Sequence, residues 1–326
     1  MTGMCMNDSG NNRKTEEAEI LIIGAAIIDV LVRPAGEEVF RTGSFPAEEI
    51  RMSVGADALN EATVLARLGK KVKLVTVIGD DQAGRYLLEH LRQEGILLVD
   101  GCIRKGLVTG INVVLVSPDG KRSFLTNARG SLRKLVLQDI PLSFPDPVKI
   151  VCFASIFVFP QIGAEELRCI FAQAKRQNKI VCADMTKCKN KETLEDMAEA
   201  FSYIDYLFPN DEEAMLLTGK ETAALAAEAI LETGVGNVIV KCGREGCLVR
   251  NRKESYLVPA KEGVLCRDTT GAGDSFAAGF IYALSKGLSL RECAEYGNEC
   301  GARAVAVTGA TEWILRREDE ITDCRR

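Results

Sequence analysis

The sequence predicts an α/β protein in which helices cover both faces of a mostly parallel sheet, giving three layers. Apolar runs rich in β-branched residues alternate with helical patterns along most of the 326 residues. Parallel strands need crossover connections, and helical crossovers cover the faces of the sheet that they connect. A chain of this length can bury a large core, as one large domain or as two unequal ones.

The first part of the alternation begins with a buried strand at 20–26. The spacing of apolar residues then predicts a helix at 58–68, a strand at 72–78 and a helix at 81–94. In the last of these, Leu87, Leu88 and Leu91 fall on one face.

The second part continues the alternation towards the C-terminus. Strands are predicted at 149–153, 180–184, 206–208 and 238–241. Helices are predicted between and after them, at 164–178, 194–202, 210–218, 222–233 and 290–307.

Two segments break the alternation. Residues 30–54 are strand-like, with Gly36, Gly43 and Pro46 as breaks. Residues 109–116 and 121–126 predict a hairpin joined by a turn that contains Pro118, Asp119 and Gly120. Both segments are expected in a small β-sheet outside the main layer.

The composition limits the possible partners and compartments. A net charge of -5 argues against nucleic acid as the main partner, because phosphate backbones require clustered Lys and Arg. The 12 cysteines are scattered without a CxxC pair and the chain has one His, so we expect reduced cysteines rather than a zinc site. Residues 1–18 are polar and predict a disordered tail without a signal peptide. With no apolar run of about 20 residues, the sequence indicates a cytoplasmic protein that does not cross a membrane.

The run 268–276, DTTGAGDSF, is the most informative segment. Its glycines predict a tight turn, and the apolar pattern that starts at Phe276 predicts a helix directly after it. Unpaired N–H groups at a helix N-terminus can hold an anion, and the carboxylate of Asp274 beside that anion can accept a proton. The alternative interpretation is a turn and a helix cap with no chemistry.

This run is similar to the C-terminal signature of the ribokinase-like, or PfkB, family of carbohydrate kinases, whose usual form is DTTGAGD[ST]F, and it matches without departures. The resemblance extends from about Ile20 to Ala310. It implies a kinase domain at 19–326, with lid segments at about 30–54 and 109–128 that close over a sugar and often form a dimer contact. A homodimer through the lid is therefore expected.

The resemblance also implies an activity, the ATP-dependent phosphorylation of a hydroxyl group on a sugar or related polyol. In that reaction Asp274 is the general base. The backbone N–H groups of Gly271, Ala272 and Gly273 form an anion hole for the phosphoryl group.

The substrate-binding residues implied by the resemblance lie in the first half of the chain: Asp29, Gly55, Ala56, Asp57 and Asn60. Asp29 follows the predicted first strand, and Asp57 and Asn60 lie one turn apart at a helix start. The alternatives are a solvated loop acid for Asp29 and a helix cap for Asp57. Ala56 replaces a glycine that is usual in the family, and Ile27 replaces a polar residue found in some members.

The charge of these residues bears on the choice of substrate. Asp29 and Asp57 would repel a substrate that already carries a phosphate, which favours a neutral polyol. Arg122 and Arg129, near the predicted hairpin, would reverse that preference if they pointed inward; as surface residues they would not.

The nucleotide-binding residues implied by the resemblance lie in the second half. Asn210 and Glu213 match an N-x-x-E motif that positions magnesium and phosphate largely through water, although they also fit a simple helix cap. Lys241, Gly243 and Gly246 match a K-x-G-x-x-G motif for ATP. The resemblance also implies that Asn298 lies on the adenine side and that Asp268 and Thr270 hold a potassium ion.

Two other functions stay open. A nucleoside kinase of the same superfamily would need aromatic lid residues to stack a base, and Phe40, Phe45 and Phe124 lie in the predicted lid. A catalytically silent nucleotide- or sugar-binding protein is the other. The chain has no GxxxxGK[ST] motif and no G-x-G-x-x-G after the first strand, which argues against a Walker-type kinase and a dehydrogenase.

Overall fold

The described structure, a computed structural model, covers residues 18–118, 121–189 and 191–315. The predicted tail, apart from Ala18, lies outside the described residues, as do Asp119 and Gly120 of the predicted turn. Ala18 itself is buried.

In chain order the strands of the described residues are β1 (Ile20–Ile23), β2 (Ile27–Arg33), β3 (Glu49–Gly55), β4 (Val72–Val75), β5 (Ile78–Gly79), β6 (Leu97–Leu98), β7 (Ile103–Arg104), β8 (Ile111–Val116), β9 (Arg122–Thr126), β10 (Ile150–Ile156), β11 (Ile180–Met185), β12 (Tyr206–Phe208), β13 (Asn237–Lys241), β14 (Cys247–Asn251) and β15 (Ser255–Val258). The helices are α1 (Glu38–Thr42), α2 (Asp57–Arg67), α3 (Gln82–Glu94), α4 (Ala164–Arg176), α5 (Leu194–Phe201), α6 (Asp211–Thr218), α7 (Ala223–Glu232), α8 (Ala272–Ser285) and α9 (Leu290–Val305).

The central sheet has the strand order β15-β14-β13-β12-β11-β10-β1-β4-β6. Strands β6 to β13 in this order pair in parallel, whereas β13, β14 and β15 pair antiparallel at one edge. The predicted mostly parallel sheet is therefore confirmed. The antiparallel edge was not predicted, because two strands of five and four residues carry too short a pattern.

Helices cover both faces of this sheet, as predicted. Alternate residues of β10 point to opposite faces. Val151 and Phe153 join one buried cluster with α4, α5, α6 and α7. Ile150 and Cys152 join a second cluster with α2, α3, α8 and α9. The second layer matters most for the site, since α2 and α8 lie side by side within it.

A second, four-stranded sheet has the order β3-β2-β8-β9 and is the predicted small sheet outside the main layer, which we call the lid. It corrects the sequence prediction in three places. The first strand ends at Ile23, and β2 starts at Ile27 in the lid. The strand-like segment 30–54 contains α1 between β2 and β3. The predicted strand 72–78 divides into β4 and β5, and β5 pairs with β7 in a separate two-stranded sheet.

The position of Asp29 changes accordingly. It was expected in a loop directly after the first strand, but it lies within β2, opposite Ser53 of β3 and Asn112 of β8. Within the part of the chain that the structure describes, no helix is both long enough and apolar enough to cross a bilayer.

Candidate active site

The Gly-rich turn before α8 forms as the sequence predicts. Gly271 is the N-cap residue and adopts a left-handed conformation with φ 68°. A Cβ at this position would lie 2.6 Å from the Cβ of Ala310, so the turn requires glycine for both its dihedral angle and its close packing. Ala272, Gly273 and Asp274 form the first helical turn, where N–H groups lack intrahelical acceptors. The N–H of Ala272 donates to the carbonyl of Thr269 at a long 3.3 Å.

The carboxylate of Asp274 is held by Asn60 of α2. Nδ2 of Asn60 donates to Oδ2 of Asp274 at 2.7 Å across 214 positions of sequence. Burial raises the pKa of Asp274, the Asn60 hydrogen bond opposes that rise, and the charge of Asp184 adds to it. A carboxylate with a raised pKa beside an anion-binding turn is well suited to accept a proton.

Lys241 lies at the end of β13 and forms a buried ion pair with Asp184 at the end of β11. Nζ of Lys241 donates to both carboxylate oxygens, at 2.8 and 2.6 Å. Burial alone would lower the pKa of Lys241, but the charges of Asp184 and Glu213 outweigh it and raise that pKa. A Cβ at Gly273 would lie 3.3 Å from this Nζ, which places the ammonium beside the anion-binding turn.

Asp184 was not predicted as a site residue. It is buried, and burial raises its pKa against the opposing charge of Lys241. The sequence signal was present, because an acid at the carboxyl end of a buried parallel strand lies where ligands collect.

Asn210 and Glu213 form a reciprocal capping box at the start of α6. The N–H of Glu213 donates to Oδ1 of Asn210, and the N–H of Asn210 donates to Oε2 of Glu213, both at 2.8 Å. The capping interpretation of these residues therefore holds in the structure. Burial raises the pKa of Glu213 to about 7, with Lys241 lowering and Asp184 raising it. In residues 18–118, 121–189 and 191–315, no group of three or more His, Cys, Asp or Glu could hold a metal ion directly.

One cleft of about 1170 Å³ brings most of the predicted residues together. Its lining includes Asp57, Asn210, Glu213, Lys241, Gly273 and Asp274. The far wall holds Gly243, Gly246 and Asn298. Gly246 has φ 101°, and a Cβ there would collide with the carbonyl of Val258. Nδ2 of Asn298 donates to the carbonyls of Val258 and Pro259, which fixes the chain beyond β15 along this wall.

Strand β2 of the lid carries Asp29 close enough to Asp274 for the two charges to interact. Burial raises the pKa of Asp29 to about 6, a hydrogen bond from Asn112 lowers it, and the charge of Asp274 raises it. A Cβ at Gly55 would collide with Oδ2 of Asp29, so glycine makes room for that carboxylate. Oδ1 of Asp29 and Oδ1 of Asn60 are buried and have no hydrogen-bond partner within the structure. Buried acceptors of this kind require donors.

The start of α2 is strained. Ala56, its N-cap residue, has φ 76° and ψ 148°, a region that glycine occupies almost alone. Asp57 is the first helical residue rather than the cap, so the capping alternative for Asp57 is wrong. Burial, then the charges of Asp274 and Asp184, raise the pKa of Asp57 well above its usual value.

Glu61, one position beyond Asn60, was missed by sequence reasoning. It is fully buried, and Sγ of Cys152 donates to its Oε2 at 3.4 Å. Burial raises the pKa of Glu61 well above its usual value, and the charges of Asp184 and Asp274 add to that rise.

Asp268, just before the turn, already has a cationic partner. Thr270 donates its N–H and Oγ1 to Oδ1 of Asp268 at 2.9 and 2.6 Å, and the N–H of Gly309 donates to Oδ2 at 3.0 Å. Arg122 of the lid forms an ion pair with Oδ1. Burial would raise the pKa of Asp268, but the Thr270 and Gly309 hydrogen bonds and the Arg122 charge lower it overall. Arg129 is exposed.

The face of the lid that carries Asp29 has a polar row followed by a mixed row. Asp29 and Asn112 are paired in register, and the next row on the same face holds Arg51, Leu31, Val114 and Phe124. Phe124 is 59% exposed on that face. Of the other aromatic residues predicted in the lid, Phe40 lies in α1 and is exposed, and Phe45 is half-buried.

Comparisons with known proteins agree with this geometry. The family model for "pfkB family carbohydrate kinase" matches residues 17–316. An uncharacterized sugar kinase of Archaeoglobus fulgidus is 29% identical over 78% of this chain and 99% of its own. The ribokinase structure of Thermotoga maritima superposes with a TM-score of 0.73 at 28% identity, covering 95% of this chain and 100% of its own. The adenosine kinase structure of Sinorhizobium meliloti shares the fold, with a TM-score of 0.79 at 22% identity over 94% of this chain and 99% of its own.

Proposed function

Because the chain belongs to the pfkB family of carbohydrate kinases, we propose that it transfers the terminal phosphoryl group of ATP to a hydroxyl group of a neutral sugar or polyol. One observation carries this proposal most directly. The carboxylate of Asp274 lies in the first turn of α8 beside the anion-binding glycines, and Asn60 orients it from the acceptor side. A base and a phosphoryl-binding turn therefore meet at one point.

On the acceptor side, the unpartnered oxygens of Asp29 and Asn60 accept hydrogen bonds from substrate hydroxyls. These contacts aim one further hydroxyl at Asp274, which removes its proton as the oxygen attacks phosphorus. Lid closure over the same site excludes water, which would otherwise compete as the nucleophile.

On the nucleotide side, positive charge and N–H dipoles receive the phosphoryl group. The first-turn N–H groups of Gly273 and Asp274 and the ammonium of Lys241 stabilise negative charge on it during in-line transfer. Magnesium bound with ATP would offset the negative charge of the phosphate groups. Glu213 lies in the cleft with a carboxylate that can hold the waters of such an ion.

The charges near Asp274 favour an acceptor without a phosphate. Asp29 and Asp57 add negative charge, whereas Arg122 is paired with Asp268 and Arg129 is exposed. A sugar phosphate would place a second anion against these carboxylates.

A nucleoside kinase is the second candidate, and one observation favours it. Phe124 exposes an aromatic ring on the lid face that carries Asp29, two positions beyond the polar row. A ribose held at Asp29 would direct its base towards that ring, where stacking stabilises it.

We also propose that two copies associate through the outer face of the lid. On that face Ile50, Met52 and Leu125 are 70%, 50% and 59% exposed, a contiguous apolar surface. Sedimentation velocity of the wild type and of Met52→Lys tests this: the wild type sediments as a dimer and the variant as a monomer, whereas a monomeric wild type contradicts the proposal.

A screen coupled to ADP release tests the function. Pentoses, hexoses, sugar acids, inositols, nucleosides and the matching sugar phosphates are each offered with ATP and magnesium. Turnover of a neutral polyol, lost on addition of EDTA, supports the first proposal. Turnover restricted to nucleosides supports the second. ATP binding with no turnover on any acceptor would indicate a silent binding protein.

A further inference from the structure

An ion pair joins the lid to the loop before α8. Arg122, the first residue of β9, reaches across to the carboxylate of Asp268. The Asp268 side chain is only 8% exposed and that of Arg122 is 27% exposed. A buried carboxylate without a cationic partner destabilises the fold, so the loop that carries Asp268 depends on the charge that the lid provides.

Asp268 fixes the geometry of the anion-binding turn. Its two oxygens accept three hydrogen bonds, two from Thr270, which directly precedes Gly271, and one from Gly309. The next residue, Ala310, packs against Gly271 so closely that a side chain there would collide with it. Asp268 therefore ties together the two segments that shape the turn.

The family resemblance implies a potassium ion at Asp268 and Thr270, and the residues present do not fit one. Oδ1 of Asp268 already accepts from Thr270 and contacts the guanidinium of Arg122, and Oδ2 is bound by Gly309. A guanidinium that bonds this carboxylate provides the same positive charge that a bound monovalent cation would.

We propose that Arg122 is a positioning residue. It lies on the lid and provides the positive charge that Asp268 needs. Lid closure therefore orders the anion-binding turn without a bound monovalent cation. This inference rests on the proposed kinase function. Its consequence is a link between the two substrates. When the acceptor closes the lid over Asp29, Arg122 reaches Asp268 and the turn is set to receive the phosphoryl group; when the lid opens, that charge is withdrawn.

The experiment compares Arg122→Gln with Arg129→Gln, an exposed arginine close by in sequence that serves as the matched control. Turnover is measured in a buffer whose only monovalent cation is N-methylglucamine, and again with potassium or guanidinium chloride added. We expect the wild type and Arg129→Gln to need no added cation. We expect Arg122→Gln to lose kcat by at least about tenfold, with a smaller change in acceptor KM, and to recover most of it with potassium or guanidinium.

A second measurement does not depend on activity. Hydrogen–deuterium exchange of the peptide spanning 268–275 should be faster in Arg122→Gln than in the wild type and Arg129→Gln, and added potassium should slow it again. The inference is overturned if Arg122→Gln keeps wild-type kcat and exchange, or if the wild type itself requires potassium. If the wild type turns over no acceptor, the proposed function fails while the exchange comparison still decides the role of Arg122.

Discussion

Nδ2 of Asn60 donates a 2.7 Å hydrogen bond to the carboxylate of Asp274, and so joins helix α2 to helix α8 at the reacting centre. Helix α2 begins directly after β3, the lid strand that pairs with the strand carrying Asp29. The sheet that carries Asp29 is therefore continuous, through segment 55–60, with the helix that carries Asn60. A movement of β3 would reach Asp274 through this short segment.

Asn60→Leu should shift the pH dependence of turnover. The substitution keeps the approximate volume but removes a donor to a carboxylate, which is worth about 1.5–3 kcal/mol. Because that hydrogen bond opposes the rise in the pKa of Asp274, its loss should move the acid limb of the kcat profile to higher pH. An acid limb at the wild-type pH would contradict the assigned contact.

Asp29→Asn should stabilise the unliganded protein while it weakens acceptor binding. The folded-state pKa of about 6 lies above the ordinary aspartate pKa of 3.8. The ionised carboxylate therefore destabilises the fold above pH 6, and this cost disappears as both states become protonated below about pH 4. We expect a gain of about 2 kcal/mol in unfolding free energy at pH 7.5.

Urea unfolding at pH 7.5 and at pH 4 measures this effect. Asp146→Asn, a change at an exposed aspartate, is the control and should leave stability unchanged at both pH values. If Asp29→Asn is no more stable than the wild type at pH 7.5, the ionised Asp29 carboxylate does not destabilise the folded protein.

Ala56→Gly should stabilise the protein, which is unusual for a change at a helix start. Ala56 occupies a φ and ψ region whose cost for a non-glycine residue is about 1–3 kcal/mol. Part of that gain is lost because glycine is freer in the unfolded chain, which leaves about 1 kcal/mol. Ala66→Gly, within the same helix, should instead destabilise by about 0.5–1 kcal/mol. Thermal unfolding that ranks the two variants in the opposite order would rule out the strain at Ala56.

Lys241→Met should destabilise the fold and weaken ATP binding. It leaves Asp184 buried without its partner, which costs about 3–5 kcal/mol. The double variant Lys241→Met with Asp184→Asn should recover most of that stability but not the ATP affinity, because the ammonium beside Gly273 is still missing. Lys261→Met, at a half-exposed lysine of the same cleft, is the control. Recovery of ATP affinity in the double variant would contradict a phosphate-binding role for Lys241.

Local sequence patterns predicted the elements whose formation depends on neighbouring residues. The parallel sheet followed from strands buried on both faces, and the turn at Gly271 followed from its glycines and the apolar helix after it. Short elements such as β14, β15 and α1 carry too few residues for a periodic pattern. The placement of Asp29 was missed because β1 and β2 follow one another with only three residues between them, yet belong to different sheets.

The sequence predicted the residues of the candidate site more completely than the contacts between them. Asn210 and Glu213 fit a cap and a magnesium-associated pair equally well, because both uses require the same residue types at the same spacing. The Arg122–Asp268 pair joins residues 146 positions apart, and no local pattern encodes it. Asp184 needed only the rule that acids at the carboxyl ends of parallel strands face ligands.

The central claim is that Asp274 is the general base, and the most direct test is the rate constant of phosphoryl transfer in Asp274→Asn. The amide is nearly isosteric, so the fold and ATP binding should persist, which circular dichroism and calorimetry verify. On the acceptor identified by the screen, single-turnover rates should fall by about 10²–10⁴ relative to the wild type. A rate within about threefold of the wild type, in a folded variant that binds ATP, would contradict the assignment of Asp274 as the base.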